Sequence, residues 1–369
     1  MNVWSPSGKK HVPLLVGKLI ETLPNQISQL TRPGSKVLVV ARNEKIVLPM
    51  LNYIVQSNGM VGMPLMSRPD ADFVANVNMG LDMCQRTGCT AVIALGDEYT
   101  LNVAKAVASL VGCGNFWNKL DRYELGQYKA GNVAFRDSLP VITIPTTLQV
   151  GVEASSLWTG VNYIAETRYK ANDESIIPNS IMLDPQLIST GQKDKAALFG
   201  TAFENTLRNA QLAALGQILA LSHSQGNSLS HATSLLSTSW DSSLDDRVSV
   251  TAMLSAELGR FAGAASASPG LPHVALSCAI CDAIPLSYND VSSIMLGKSW
   301  NLWSEDHKQT LKYILKGDHQ LDSHSSLSQI GMRKDVTDEE ILPIAEAASS
   351  YMNDEVSPSF LAKVIKEAL

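Results

Sequence analysis

The chain has 369 residues, of which 45% are hydrophobic and 17% charged, and its formal net charge is −6. This length and composition are typical of a globular protein with room for two hydrophobic cores. The negative charge and the lack of a basic run in the sequence argue against nucleic acid or an anionic membrane surface as a partner.

The cysteine content points to a reducing compartment. Only five cysteines occur in the 369 residues, too few for the framework of a disulfide-rich secreted domain. No apolar run approaches the roughly 20 residues that span a bilayer, and the segment from Met1 to Lys10 lacks the apolar core of a signal peptide. We therefore expect a cytoplasmic protein that does not act at a membrane.

The first half of the chain alternates between strand and helix patterns. Strands are predicted at 36–40, 91–95, 140–144 and 181–183, and helices at 70–87 and 101–110. Gly88 provides a stop for the first of these helices. Because strands that alternate with helices form parallel, doubly wound sheets, we predict a Rossmann-like α/β domain over residues 1–175.

The second half of the chain is predicted to be helical, because strand patterns disappear from about Lys193 onward. Helices are predicted at 196–221, 248–265, 273–283, 341–352 and 357–369. The serine-rich stretch 221–243 is predicted to be a loop with helix ends. The sequence thus predicts an all-α domain over residues 176–369.

A tight turn lies between the strand at 91–95 and the helix that follows it. In nucleotide-binding folds this turn is rich in glycine, so that backbone N–H groups can approach a diphosphate. Here Gly96 is followed by Asp97 and Glu98, whose carboxylates repel a diphosphate. The turn is either an altered phosphate site or a helix cap formed by Asp97, Glu98 or Thr100.

A polar loop leaves the strand at 140–144, at the sheet edge where open α/β sheets bind ligands. Its candidate ligand-binding residues carry hydroxyl or amide groups and are Thr146, Thr147, Gln149, Ser155, Ser156 and Asn162. The alternative is a turn-rich connection whose hydroxyl groups bond internally. Arg42, after the first strand, is either in reach of a 2′-phosphate or a solvated charge.

One helix of the second half carries a possible metal-binding pattern. Helical spacing places His273, Ser277 and Cys281 along one face. Together with Glu204, His273 and Cys281 are candidate ligands for a soft metal. The alternative is that this Cys-x-x-Cys helix belongs to the core, because structural metal sites require more donors than these.

The order of these motifs resembles the superfamily that joins iron-containing alcohol dehydrogenases, glycerol dehydrogenases and dehydroquinate synthases. Gly96 to Lys105 stands where the family has Gly-Gly-Gly-Ser-x-x-Asp-x-x-Lys, and 144–147 matches its Pro-Thr-Thr signature. The segment 182–185 matches the stretch before the family's helical domain. The segment 155–162 looks like the synthase branch, whereas 325–332 looks like the dehydrogenase branch.

The resemblance implies a dehydroquinate synthase-like two-domain fold, with a nicotinamide cofactor and a metal bound in the cleft between the domains. It also implies an assembly of several copies, and we expect a homodimer. At the cofactor turn it implies ligand-binding roles for five residues: Gly96, Asp97, Thr100, Asn102 and Lys105.

The sequence departs from the family pattern at both expected sites. Two of the three family glycines are Asp97 and Glu98, and the family aspartate is Asn102. The dehydrogenase metal ligands fall near Ala202, Thr206, His273 and Ser287, so that only His273 keeps a ligand side chain. The synthase lysine is Trp158, and its next lysine matches Lys170. We therefore expect degenerate NAD and metal sites, with neither the standard metal nor NAD(P) as a secure cofactor.

Three hypotheses for function follow. The first is a redirected enzyme that acts on a small polar or phosphorylated metabolite, with Glu98, Glu153, Lys170 and His273 as candidate acid–base groups. The second is a catalytically silent protein that regulates or scaffolds a partner. The third is an NAD(P)-dependent oxidoreductase with unusual metal ligands, namely Glu204, His273 and Cys281.

Overall fold

The computed structural model divides into two compact units, Met1–Thr190 and Gly191–Leu369. The residues that it describes are 12–42, 48–68, 72–113, 137–148, 151–162, 167–225, 229–259, 271–284, 286–315, 321, 325–352 and 355–369. Among these residues, no helix combines the length and the apolar character needed to cross a membrane.

The first unit is built on a six-stranded sheet in which every pairing is parallel. Its strands are β1 (Leu14–Val16), β2 (Lys36–Ala41), β3 (Val61–Met66), β4 (Cys89–Gly96), β5 (Val141–Pro145) and β8 (Ser180–Leu183). Their order across the sheet is β1-β8-β5-β4-β2-β3. The first and the last strand of this sheet along the chain are neighbours, because β1 pairs with β8.

Alternate residues of the strands face two hydrophobic clusters, as expected for a sheet covered on both faces. The helices of this unit are α1 (Leu19–Leu30), α2 (Leu48–Ser57), α3 (Phe73–Thr87) and α4 (Glu98–Leu110). Val37 and Val39 of β2 pack in the cluster that contains residues of α1 and α2. Leu38 and Val40 pack in the cluster that contains residues of α3 and α4.

A two-stranded antiparallel hairpin, β6 (Leu157–Asn162) and β7 (Thr167–Asn172), packs on the cluster beneath α3 and α4. Trp158 is fully buried there. Its ring stacks on Phe73 at a centroid distance of 5.9 Å, and its Nε1 donates a hydrogen bond to Ser109 Oγ at 3.1 Å. The residue that replaces the synthase lysine is therefore part of the core of the first unit.

In its described residues the second unit is helical. The boundary between the units falls within α5 (Pro185–Leu198). The helices that follow are α6 (Phe203–Gln225), α7 (Ser230–Asp241), α8 (Leu244–Gly259), α9 (Pro272–Ala283), α10 (Tyr288–Lys298), α11 (Glu305–Leu315), α12 (Asp338–Tyr351) and α13 (Pro358–Glu367). Residues of α9, α10, α12 and α13 form a hydrophobic cluster in this unit.

The predicted fold class, a Rossmann-like α/β domain followed by an all-α domain, is confirmed. The predicted helix 196–221 is wrong in detail, because Gly200 takes a left-handed conformation at φ 62° and separates α5 from α6. The serine-rich stretch 221–243 is also more helical than predicted over its described residues. It contains α7, whose Ala232, Leu236 and Ser239 are buried at helical spacing.

The domain boundary was predicted after residue 175, whereas the structure divides after Thr190. The strand β8 accounts for this difference. Ile181 pairs with Leu14 of β1 and with Thr143 of β5, so the segment 180–183 belongs to the sheet of the first unit.

Candidate functional site

The carboxyl ends of β2, β3, β4 and β5 lie at one edge of the sheet, because these strands are parallel neighbours. The chain leaves this edge through Arg42, Ser67, Asp97 and Thr146. Backbone hydrogen bonds join neighbouring strand ends: Ser67 N donates to Ala41 O, and Thr146 N donates to Gly96 O, each at 2.9 Å. This is the edge at which open α/β sheets bind ligands.

At this edge the turn after β4 is closed by Asp97, which is the N-cap residue of α4. The Asp97 Oδ1 atom accepts hydrogen bonds from Thr100 N at 3.1 Å and from Thr100 Oγ1 at 2.9 Å. Gly96 is required by packing, since a Cβ atom there would lie 2.7 Å from Thr100 Cβ. The turn is therefore a helix cap, and Asp97 is the capping residue.

The second oxygen of Asp97 pairs with Arg42, which follows β2. The Arg42 side chain is 44% exposed and that of Asp97 is 19% exposed, so the pair lies at the surface of the edge. Thr100 extends the network inward through a 2.8 Å contact between its Oγ1 and Ser67 Oγ. Arg42 is therefore a partly solvated charge that pairs with Asp97.

The residues at the next positions of the family motif also make contacts within the first unit. Tyr99, at the family serine, accepts a hydrogen bond from Asn76 Nδ2 at 2.8 Å and meets the Phe73 ring edge-on at 6.0 Å. Asn102, at the family aspartate, is buried and accepts from Thr159 N of the hairpin at 3.4 Å. Glu98 lies in the first turn of α4 and is partly exposed.

Lys105 of α4 binds the polar loop that follows β5. Its side chain is 1% exposed, and its ammonium donates to the carbonyls of Val152, Ser155 and Leu157 and to Ser155 Oγ, within 3.0 Å. Burial lowers the pKa of Lys105 to about 7, and the nearby Glu153 opposes this shift. The structure gives this lysine a role inside the fold.

The predicted loop residues differ in accessibility. Thr146, Thr147 and Ser156 are partly exposed, whereas Ser155 is buried against Lys105. Glu153 is 1% exposed, and its carbonyl oxygen accepts a hydrogen bond from Thr143 Oγ1 at 2.7 Å. Gln149 lies outside the described residues. Asn162 and Lys170 belong to the hairpin, but their side chains are outside the described part of the structure.

His273 is a fully buried residue of the second unit. Its ring stacks on Trp303 at a centroid distance of 4.9 Å and an interplanar angle of 20°. Its Nε2 lies 3.1 Å from the carbonyl oxygen of Gly216 in α6, and in the tautomer with a proton on Nε2 it donates to that oxygen. Ser277, one turn later, donates to the His273 carbonyl at 2.6 Å.

The other metal-site positions do not gather ligands around His273. Glu204 is exposed on the first turn of α6, and Cys281 is buried in the core. Thr206 donates its hydroxyl to Phe203 O at 2.8 Å, and Ser287 is the N-cap residue of α10. Within the described ranges, no group of three or more His, Cys, Asp or Glu residues is placed to hold a metal ion. These residues do not fit the family metal.

The turn at Asp97 does not fit a diphosphate either. A diphosphate at a helix N-terminus is bound by free backbone N–H groups, and here Thr100 N already donates to Asp97. The two acidic side chains, Asp97 and Glu98, add negative charge at the place where the phosphates would lie.

Replacing Asp97 with alanine is expected to lower the free energy of unfolding by about 1–2 kcal/mol, because it removes the helix cap. Asp97→Asn is the matched control, since it keeps a side-chain oxygen for Thr100 N but loses the charge that pairs with Arg42. An exposed ion pair contributes roughly 0–1 kcal/mol, so urea unfolding should place Asp97→Asn near the wild type. Equal losses in both variants would show that the ion pair, not the cap, stabilises the turn.

Three residues of this network were not singled out from the sequence: Ser67, Asn76 and Ser109. Ser67 directly follows β3, so the position after each parallel strand is a usable signal. Asn76 and Ser109 lie within α3 and α4, where polar residues on a buried face give only a weak signal. Their partners, Tyr99 and Trp158, are set by tertiary packing.

The comparisons with known proteins agree with this architecture. Residues 14–185 match the family model of iron-containing alcohol dehydrogenases. Over 112 residues the chain is 25% identical to an NAD-dependent methanol dehydrogenase of Bacillus methanolicus, a match that covers 30% of this chain and 27% of that enzyme.

Solved structures match nearly the whole chain. An iron-containing alcohol dehydrogenase of Thermotoga maritima has a TM-score of 0.72 at 17% identity, with 97% of this chain and 98% of that chain covered. A sulfoacetaldehyde reductase of Bifidobacterium kashiwanohense, solved with NAD+, has a TM-score of 0.69 at 15% identity, with 100% and 99% covered. These relatives are of the dehydrogenase kind, so the likeness of 155–162 to the synthase branch stays a prediction. The family model of iron-containing alcohol dehydrogenases thus matches less than half of the chain, and the solved structures show that the chain has the fold of these enzymes.

Proposed function

We propose that this chain is a non-catalytic member of the superfamily, which has exchanged metal- and nicotinamide-dependent oxidoreduction for a regulatory or scaffolding role. The observation that carries this proposal is the turn after β4. There Asp97 caps α4 and pairs with Arg42, in the place where the family binds the cofactor diphosphate.

The candidate acid–base groups support the same proposal. A general acid or base must come within hydrogen-bond reach of its substrate. His273 is fully buried, with its ring between Trp303 and Gly216 O, and Glu153 is 1% exposed. Among the candidates with described side chains, only Glu98 is then accessible enough to act as an acid or base. A carboxylate is common in the first turn of a helix for structural reasons alone.

A second candidate function is the redirected enzyme, with a small polar or phosphorylated metabolite as substrate. Arg42, Thr146 and Thr147 favour it, because all three follow strands at the carboxyl edge of the sheet and are at least partly exposed. A guanidinium group and hydroxyl groups are suited to an anionic, hydroxylated ligand. Thermal stabilisation by sugar phosphates that is lost in Arg42→Met would favour this candidate.

The proposal is tested by titrating NAD+ and NADH into the purified protein, with calorimetry and elemental analysis as readouts. We expect no binding at millimolar dinucleotide and no stoichiometric zinc or iron. The matched variant is Asp97→Gly with Glu98→Gly, which restores two family glycines and frees Arg42. It should bind dinucleotide more tightly than the wild type. Wild-type binding as tight as that of the double variant, or a stoichiometric metal, would overturn the proposal.

A further inference from the structure

Two buried thiols, Cys84 and Cys89, lie together where α3 ends and β4 begins. Both are free cysteines, and both belong to the hydrophobic cluster between the sheet and α3 and α4. The turn between them is tight: Gly88 takes a left-handed conformation at φ 71° and donates its N–H to Cys84 O at 2.8 Å. This places the first residue of β4 back against the last turn of α3.

The side chains of the pair meet across this turn. The two thiols are near enough to affect each other's pKa, and Thr87 Oγ1 lies 3.3 Å from Cys89 Sγ. Lys36 of β2 is the register partner of Cys89 in the sheet. A cysteine with a second thiol, a hydroxyl group and a cation around it differs from an inert core cysteine, which is surrounded only by apolar groups.

From this juxtaposition we propose that Cys84 and Cys89 are a redox modification site, which forms an intramolecular disulfide when the protein meets a peroxide. The proposal concerns the amino end of the sheet, so it does not depend on the proposed function. The disulfide would join α3 covalently to β4 and would be reversed by reducing thiols.

The surroundings of the two sulfur atoms assign their roles in the reaction. The interaction with the Cys84 thiol lowers the pKa of Cys89 below its usual range, burial opposes the shift, and Thr87 and Lys36 add to it. The same contact and burial raise the pKa of Cys84. Cys89 is also the more exposed of the two, at 7% against 3%. Cys89 is therefore the attacking thiolate and Cys84 the resolving thiol.

The chemistry balances with hydrogen peroxide as the oxidant. The Cys89 thiolate attacks one peroxide oxygen, the O–O bond breaks, and hydroxide leaves and takes up a proton to become water. Cys89 is then a sulfenic acid. The Cys84 sulfur attacks the Cys89 sulfur, and the sulfenic hydroxyl leaves with the Cys84 proton as a second water. Two thiols lose two electrons in total, and the peroxide is reduced to two waters.

Trypsin separates the two cysteines, because Arg86 lies between them. The folded protein is exposed to peroxide, alkylated, denatured and digested, and the peptides 46–86 and 87–105 are identified by mass spectrometry. We expect these peptides to appear joined, with a mass two hydrogens below their sum, and to separate after treatment with dithiothreitol. Met79 provides an internal control for the oxidant, since it is 55% exposed and lies in the first peptide.

Variants distinguish the two roles. In Cys84→Ser the oxidised Cys89 has no resolving thiol, so dimedone should label peptide 87–105 as the sulfenic acid adduct. Cys89→Ser should give neither the joined peptides nor the dimedone adduct, and Cys113→Ser should behave as the wild type. Two separately alkylated peptides from wild-type protein in which Met79 has become the sulfoxide would overturn the proposal.

Discussion

Lys105→Met is expected to lower the free energy of unfolding of the first unit by about 3–5 kcal/mol, the cost of breaking a buried charged network. Methionine fills the same space but donates no hydrogen bond. The carbonyls of Val152, Ser155 and Leu157 would lose their partner in the interior, and Glu153 would lose its nearby cation. Calorimetry should show the transition of this unit lowered by roughly 10 °C.

Lys18→Met is the control for this experiment, since it removes a lysine that is 63% exposed in the same unit. It should change the stability by less than about 0.5 kcal/mol. If Lys105→Met unfolds at the same temperature as the wild type, the hydrogen bonds of the Lys105 ammonium do not stabilise the unit, and the prediction is wrong.

The pH dependence of unfolding gives a second readout of Lys105. Its pKa is about 7 in the folded protein, whereas in an unfolded chain a lysine titrates near about 10.4. Between these values the unfolded chain binds more protons, so the stability of the unit rises with pH from about 7 upward. Below pH 7 both states are protonated and this contribution is constant. Urea unfolding of Lys105→Met should lack the rise, and parallel curves for the two proteins would contradict the assignment.

Gly160→Ala is expected to cost about 3 kcal/mol, the upper range for overpacking a core. A Cβ atom at this position of β6 would overlap the Phe73 ring. That ring cannot move aside freely, because it stacks on Trp158 and meets Tyr99 edge-on. Chemical unfolding of the purified variant measures the loss. Gly62→Ala is the control, since its nearest neighbour is the end of the Asn52 side chain at 3.0 Å.

A double-mutant cycle tests whether Phe73 is the cause. Phe73→Leu makes room where the alanine Cβ would lie, so Gly160→Ala combined with Phe73→Leu should lose less stability than the sum of the single variants. The expected coupling is at least about 1 kcal/mol, as for residues in direct contact. Strictly additive losses would show that another neighbour excludes the side chain.

The strand and helix alternation could be predicted because each buried strand and its following helix carry their own local pattern. The strand β3 was missed because its residues Gly62 and Pro64 are poor strand formers, and pairing with β2 at the sheet edge determines its structure. The short β1 was missed for a similar reason, since its three residues make a strand only beside β8.

The candidate site was predictable in its position but not in its contacts. The positions of Gly96 and Asp97 after a buried strand indicated a turn at the sheet edge, and the structure has it. The pairing of Asp97 with Arg42 joins residues 55 apart in the sequence, and no local pattern encodes it. The same is true of His273, whose neighbours Trp303 and Gly216 come from two other segments.

The pairing of β1 with β8 has a consequence for the order of events during synthesis. β1 has no other partner in the described sheet, and the Leu19 N–H that begins α1 donates to Asp184, 165 residues later. At a ribosomal rate of about 5–20 residues per second, roughly 10–30 s pass between the emergence of these two segments. For that interval β1 has no strand to pair with, and the edge of β5 that β8 will later occupy is exposed. Chaperone engagement should therefore peak before residue 184 leaves the exit tunnel and fall once it has emerged.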